Sequence, residues 1–132
     1  MKKEISVEFT ELKQSILIEL NYFKSPKTIK EILDNLPLEV KINRWGDELY
    51  TDKTDISAEE ENPQSVVSLS DVAYWPADNA ICLFLGPTPI SKEPNKILPY
   101  SPVNVVGKIV TSPTDDILEK VKESTTVFIK AQ

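Results

Sequence analysis

Ile5, Val7 and Phe9 alternate with Glu4, Ser6 and Glu8, and after a polar connection from Thr10 to Ser15 the same period returns at Ile16, Ile18 and Leu20. Two consecutive runs with one apolar face each predict an opening β-hairpin. The spacing then changes. Ser25-Pro26 supplies an N-cap with proline in the first helical position, and Ile29, Ile32, Leu33 and Leu36 share one helical face, so a short amphipathic helix is predicted. Pro37 ends it, because a proline ring clashes with the preceding turn and donates no hydrogen bond. Leu38, Val40 and Ile42 alternate with Glu39, Lys41 and Asn43 as a third strand. Gly46 interrupts, and Glu48-Leu49-Tyr50 reads as a short fourth.

Residues 51–65 hold Asp52, Asp55, Glu59, Glu60 and Glu61 against Lys53, with few apolar groups to offset the entropy of ordering, so a mobile acidic loop is expected. Val66, Val67 and Leu69, then Val72 to Trp75, suggest one or two strands. Ala80 to Leu85 is apolar at every position, the pattern of a strand covered on both faces and the best candidate for the centre of the core. From Gly86 to Pro102 the chain holds Pro87, Pro89, Pro94, Pro99 and Pro102, which points to a stiffened connection without regular structure. Val103, Val105 and Ile109 share a strand face with Gly107, whose missing side chain marks a bulge or a close backbone approach. Ser112-Pro113-Thr114-Asp115 opens a second helix, with Ile117, Leu118 and Val121 inward and Lys120 and Lys122 near its end. Thr125 to Lys130 is the last strand. Eight or nine short strands with two helices argue for a closed barrel, since closure leaves no unpaired edge and the helices can plug the ends. One domain over residues 1–132 is expected.

Composition narrows the chemistry. Of 132 residues 40% are hydrophobic, enough for a core without disulfides or a structural metal. Fifteen basic against 21 acidic residues give a net charge of −6, which argues against a nucleic-acid partner. There is no histidine, so Ser-His-Asp and Cys-His arrangements, imidazole metal sites and a histidine general base are all excluded. Cys82 is the single cysteine and forms no intramolecular disulfide or zinc site. Among Ile81, Leu83, Phe84 and Leu85 it reads as a buried core thiol, and a reducing, cytoplasmic setting is expected. The basic start leads directly into an alternating strand pattern, and no apolar run approaches the roughly 18 residues of a membrane span, so neither a signal peptide nor a membrane association is expected.

Four segments, in order and spacing, resemble the small cyclophilin-like proteins of archaea and bacteria, a family of unassigned function: Arg44-Trp45-Gly46-Asp47-Glu48-Leu49-Tyr50, Asp71-Val72-Ala73-Tyr74-Trp75-Pro76, Cys82-Leu83-Phe84-Leu85-Gly86-Pro87-Thr88-Pro89 and Pro102-Val103-Asn104-Val105-Val106-Gly107-Lys108. The resemblance covers residues 3–130 and implies a mainly β fold, a closed cyclophilin-type barrel of about eight strands with two short capping helices, in agreement with the count made from periodicity. Thr51 departs from the pattern where an aromatic is usual, Ser70 where glycine is usual, and Ala77-Asp78 where proline and glycine are common, so the turn after Trp75 is expected to be built differently. The arginine, glutamine, tryptophan and histidine motifs of the isomerase groove of true cyclophilins are not found, and fold kinship alone does not carry activity.

The candidate site residues are Arg44, Trp45, Tyr50, Tyr74, Trp75, Phe84 and Thr88. Trp45, Tyr50, Tyr74, Trp75 and Phe84 either seal the barrel as core or line a concave pocket at its rim, where Trp45 and Trp75 fall at strand ends. Arg44 offers a planar fork for an anion, although a salt bridge to Asp47 or Asp71 is the simpler use. Asp47 and Glu48 are strand neighbours pointing to opposite faces and cannot form a carboxylate dyad. Gly86-Pro87-Thr88-Pro89 lacks the free N–H groups of a phosphate nest; Thr88 and Ser91 offer hydroxyls without an activating base. Glu59-Glu60-Glu61 lacks the spacing of a calcium loop and reads as a solvated face. No catalytic residue, metal or cofactor is assigned. The expectation is a non-catalytic binding module for a small molecule or a short proline-containing peptide. The alternatives are a peptidyl-prolyl isomerase with an altered groove, Arg44 polarising the imide, and a subunit whose rim packs on a partner chain, the oligomeric state being open.

Overall fold

The structure of the chain, a computed structural model, describes residues 2–111, 115–121 and 123–132. The predicted hairpin is β1 (Lys2–Phe9) and β2 (Gln14–Asn21), joined through a 3₁₀ turn at Thr10–Leu12. Helix α1 (Pro26–Asp34) follows, then β3 (Leu38–Trp45), β4 (Glu48–Thr51), β5 (Asp71–Trp75), β6 (Ala80–Phe84), β7 (Asn104–Ile109), helix α2 (Asp115–Lys120) and β8 (Thr125–Ala131). The eight strands close into one antiparallel barrel in the order β1-β2-β7-β5-β6-β4-β3-β8. Because α1 joins the end of β2 to the start of β3 and α2 joins the end of β7 to the start of β8, strand polarity puts the two helices at opposite ends of the cylinder. Ile29 and Ile32 of α1 and Ile117 of α2 join the interior cluster with Ile5, Ile18, Leu49 and Val127. The N-cap predicted over Ser112 to Thr114, and Lys122, lie outside the described residues.

Gly107 is the close approach that the missing side chain foretold. It pairs with Leu20 on one side and Val72 on the other, and a Cβ there would collide with the carbonyl oxygen of Glu19. Between Val72 and Ala73 the partner on β7 steps from Gly107 to Val105, so the extra residue, Val106, bulges from the glycine's own strand. No second strand forms over Val66 to Leu69; Val67 only bridges Ile97.

Two expectations are corrected in the acidic stretch. Residues 52–63 carry no helix or strand, yet they are fastened to the barrel. Ile56 is fully buried, its carbonyl accepts from the Tyr74 hydroxyl at 2.8 Å, and Thr54 N–H donates to Asn79 at 3.0 Å. Asn104 on β7 closes the far end, accepting from Glu61 N–H and donating to Glu59 and to Thr28. Counting apolar residues missed this because polar side chains from the barrel supply the anchors. Glu61 itself is not a solvated face. Its carboxylate accepts from the N–H groups of Lys27 and Thr28 at 3.1 and 2.9 Å and from the Thr28 hydroxyl at 2.9 Å, capping α1 from a distant loop. Ser25 makes no side-chain cap and instead donates to the Glu61 carbonyl. Burial works against the Glu61 charge, but these donors outweigh it and hold the carboxyl below its ordinary value.

Candidate functional site

Strand parity divides the β4-β6-β5 wall into two faces. Leu49, Val72, Tyr74, Ile81 and Leu83 turn into the barrel interior. Their neighbours Tyr50, Ala73, Trp75, Cys82 and Phe84 turn outward, where Val67, Ile97 and Val103 from the long connections cover them as a second cluster. This is why Ala80 to Phe84 is apolar and buried at every position: the barrel core covers one side and a layer of loops the other. Each such side chain fully buried contributes roughly 1.5–3 kcal/mol, which offsets the cost of ordering the loops.

The proline-rich connection forms that layer by closing on itself. The Thr88 hydroxyl donates to the Leu98 carbonyl at 2.6 Å and meets Ser91 Oγ at 2.8 Å, and Ser91 Oγ also accepts from the N–H groups of Thr88 and Leu98. Its first turn docks on the β3–β4 turn. Asp47 N–H donates to the Pro87 carbonyl and Leu85 N–H to the Asp47 carbonyl, each at 3.0 Å. Gly46 makes this possible: its φ is +60°, and a Cβ would stand 2.7 Å from Pro89 Cδ. Trp45 and Glu48, on either side of that turn, are thereby held beneath the loop.

A cavity of 270 Å³ lies between wall and loop, lined by Trp45, Glu48, Tyr50, Trp75, Asp78, Cys82, Pro99, Tyr100, Ser101 and Val103. It is not at a barrel mouth, as the rim reading expected. Trp45 is level with the Phe84 end of β6 and Trp75 with its Ala80 end, so the two indoles flank opposite ends of the outward face of that strand. Tyr100 spans them from the loop, edge-on to Trp45 at 6.0 Å and to Trp75 at 5.8 Å between ring centroids. Trp75 Nε1 donates to Ser101 Oγ, which ties that indole to the same loop. Tyr100 is 73% exposed, so the roof of the cavity meets solvent.

Of the seven residues the sequence singled out, Trp45, Tyr50 and Trp75 are brought together here. The other four serve elsewhere. Arg44 donates from Nε to the Gly46 carbonyl, from Nη1 to the Leu118 carbonyl and from Nη2 to Asp47, the salt bridge that was its simpler use, at 3.1 Å. Tyr74 points into the interior and holds the acidic loop. Phe84 is fully buried under Val67 and Ile97. Thr88 staples the proline loop.

Glu48 was seen in the sequence only as a partner that Asp47 could not have, and Asp47 indeed turns away to Arg44. Its own role is the larger finding. Glu48 is 4% exposed, and its Oε1 is buried with no hydrogen-bond partner. Burial raises its carboxyl from the ordinary 4.5 to about 7, against a smaller opposing effect of a hydrogen bond with the Cys82 thiol. The same burial, together with the Glu48 charge, pushes the Cys82 thiol well up, consistent with the core thiol expected there. Tyr50 is raised by burial and then by the charges of Glu123, Glu48, Asp52 and Asp78, so the local field is anionic. A charged residue on the same strand parity as Tyr50 was the available signal for Glu48; Tyr100 and Asp78 lie in irregular segments that no periodicity marks.

The sequence model of a family described as cyclophilin-like matches residues 3–130. Among solved structures the chain is similar to a hypothetical protein from Archaeoglobus fulgidus, at 39% identity and a TM-score of 0.81, covering 99% of this chain and 95% of that one. It is also similar in fold to McbB, solved in complex with tryptophan, at 17% identity and a TM-score of 0.70; the match covers 96% of this chain and 44% of McbB. No curated protein matches. No helix among the described residues is long and apolar enough to cross a membrane.

Proposed function

The chain belongs to the cyclophilin-like family, and we propose that within this barrel it serves as a small-molecule binding module whose site is the outer-wall cavity under the proline loop. The observation that carries this reading is the convergence of Trp45, Trp75 and Tyr100 around one cavity from three separate segments, with a buried, unpartnered carboxylate oxygen in its lining. Recognition sites combine apolar walls with a few convergent polar groups, and a buried acceptor without a donor costs about 1–3 kcal/mol that a ligand can recover. At 270 Å³ the cavity suits a metabolite-sized molecule better than a peptide segment. McbB, of the same barrel fold, was solved with tryptophan, which is in keeping with a small occupant.

The isomerase reading relied on Arg44 to polarise a prolyl imide, and that guanidinium commits three of its five N–H donors to Gly46, Leu118 and Asp47 and does not line the cavity. Tryptophan fluorescence through a metabolite screen tests the binding reading, because both indoles flank the cavity. Emission changes accompanied by amide NMR shifts confined to the lining residues are expected. Hits whose shifts map elsewhere, or silence across a broad library, refute it.

A further inference from the structure

The lining of the cavity carries two carboxylates, Glu48 and Asp78, and no lysine or arginine. Its remaining polar groups are the hydroxyls of Tyr50, Tyr100 and Ser101, the Cys82 thiol and the indole N–H groups of Trp45 and Trp75, the latter donating to Ser101, while the walls are indole and phenol rings. A buried carboxylate oxygen without a donor, in an enclosure with no cationic side chain to serve it, asks for a cation from outside. Aromatic walls add to that preference, since the face of an indole or phenol attracts an ammonium group within about 6 Å. An anionic ligand would meet Glu48 and Asp78 and lack any compensating charge.

We infer that the cavity binds small organic amines in their protonated form, the ammonium group pairing with the Glu48 carboxylate and the apolar body lying between Trp45, Trp75 and Tyr100. This rests on the binding reading above and specifies its ligand class. The groups facing Glu48 are Cys82 from β6, Tyr50 from its own strand, Asp78 from the β5–β6 turn and Tyr100 from the proline loop; Asp52 and Glu123 add negative charge around Tyr50. None of them supplies a competing positive charge. An ammonium therefore binds the ionised carboxylate, and its affinity rises with pH as Glu48 ionises around pH 7.

The test uses three ring compounds of nearly equal size: phenethylamine, 2-phenylethanol and phenylacetate, followed by calorimetry and amide NMR. At pH 8 the amine is expected to bind at least tenfold more tightly than the alcohol, and phenylacetate most weakly. Between pH 6 and pH 8 the amine's affinity for the wild-type protein is expected to rise about tenfold while the alcohol's stays flat, following the ionised fraction of a group near pH 7. Glu48→Gln is expected to erase the preference for the amine over the alcohol and the pH dependence of amine binding. The wild-type ligand ranking and pH profile decide the matter even if that variant folds poorly. An amine that binds no better than the alcohol, or with no pH dependence, overturns the inference and leaves the cavity as a neutral binding site. If none of the three binds at millimolar concentration with shifts at the lining residues, the amine inference falls, while the binding reading stands or falls by the broad metabolite screen.

Discussion

Replacing Glu48 by glutamine should make the protein more stable in neutral and alkaline solution, the reverse of the usual result of altering a buried residue. In the folded chain the carboxyl is held near pH 7, whereas in the unfolded chain it titrates at its ordinary 4.5. Between those values the folded state binds a proton that the unfolded state has released, so stability falls as pH rises through this window and is level above it. At about 1.4 kcal/mol per tenfold, this penalty grows by roughly 2–3 kcal/mol between pH 5 and pH 8. Glutamine keeps the volume and removes the titration. Urea unfolding of wild type and Glu48→Gln at both pH values measures the difference, and other carboxylates, Glu61 among them, cancel because both proteins carry them. The difference in unfolding free energy should move by roughly 2–3 kcal/mol in favour of the variant from pH 5 to pH 8. Parallel profiles, agreeing to within about 0.5 kcal/mol, would show that Glu48 is not desolvated in the folded protein and would remove the physical basis of the amine site.

Glu61→Ala should cost about 1–2 kcal/mol by uncapping α1, seen as a lower urea midpoint, and wild type should lose this contribution as pH falls through the lowered carboxyl value of Glu61. Gly107→Ala drives a methyl into the Glu19 carbonyl and should destabilise by about 3 kcal/mol or more, or prevent folding; a soluble variant with unchanged circular dichroism and midpoint would contradict the close pairing of β2 and β7. Ser70 holds a φ of +74°, in the left-handed region, at the position where the family resemblance expects glycine, so Ser70→Gly should stabilise by about 1 kcal/mol in the same assay. Cys82 should resist a thiol reagent in the native protein at pH 8 and react at once in denaturant; rapid native labelling would contradict its burial.

The barrel was legible because period-2 alternation reports a backbone with one buried face, and Ile5-Val7-Phe9, Ile16-Ile18-Leu20 and Leu38-Val40-Ile42 state that face residue by residue. Gly107 and the unbroken apolar run of β6 were equally readable, since each answers to a constraint at its own position: a backbone too close for a Cβ, and cover on both sides. Pro26 at the head of α1 belongs to the same class. The helix cap does not. Glu61 lies 33 residues from Thr28, and only the folded loop brings its carboxylate to those N–H groups.

The site depends on distance in the same way. Trp45, Tyr50 and Trp75 could be named as amphipathic rings, the two indoles at strand ends, but whether such a ring faces a mouth, the core or an outer wall depends on the register of neighbouring strands, which local alternation leaves open. Pairing Tyr50 and Ala73 with Cys82 placed that face outward, and the proline loop then laid Tyr100 across both indoles. Glu48 shows the division most sharply. Its identity and parity are written in the chain, but its desolvation comes from Cys82, Tyr50 and the covering loop together, and a solvation energy belongs to everything that surrounds a group and not to its neighbours in sequence.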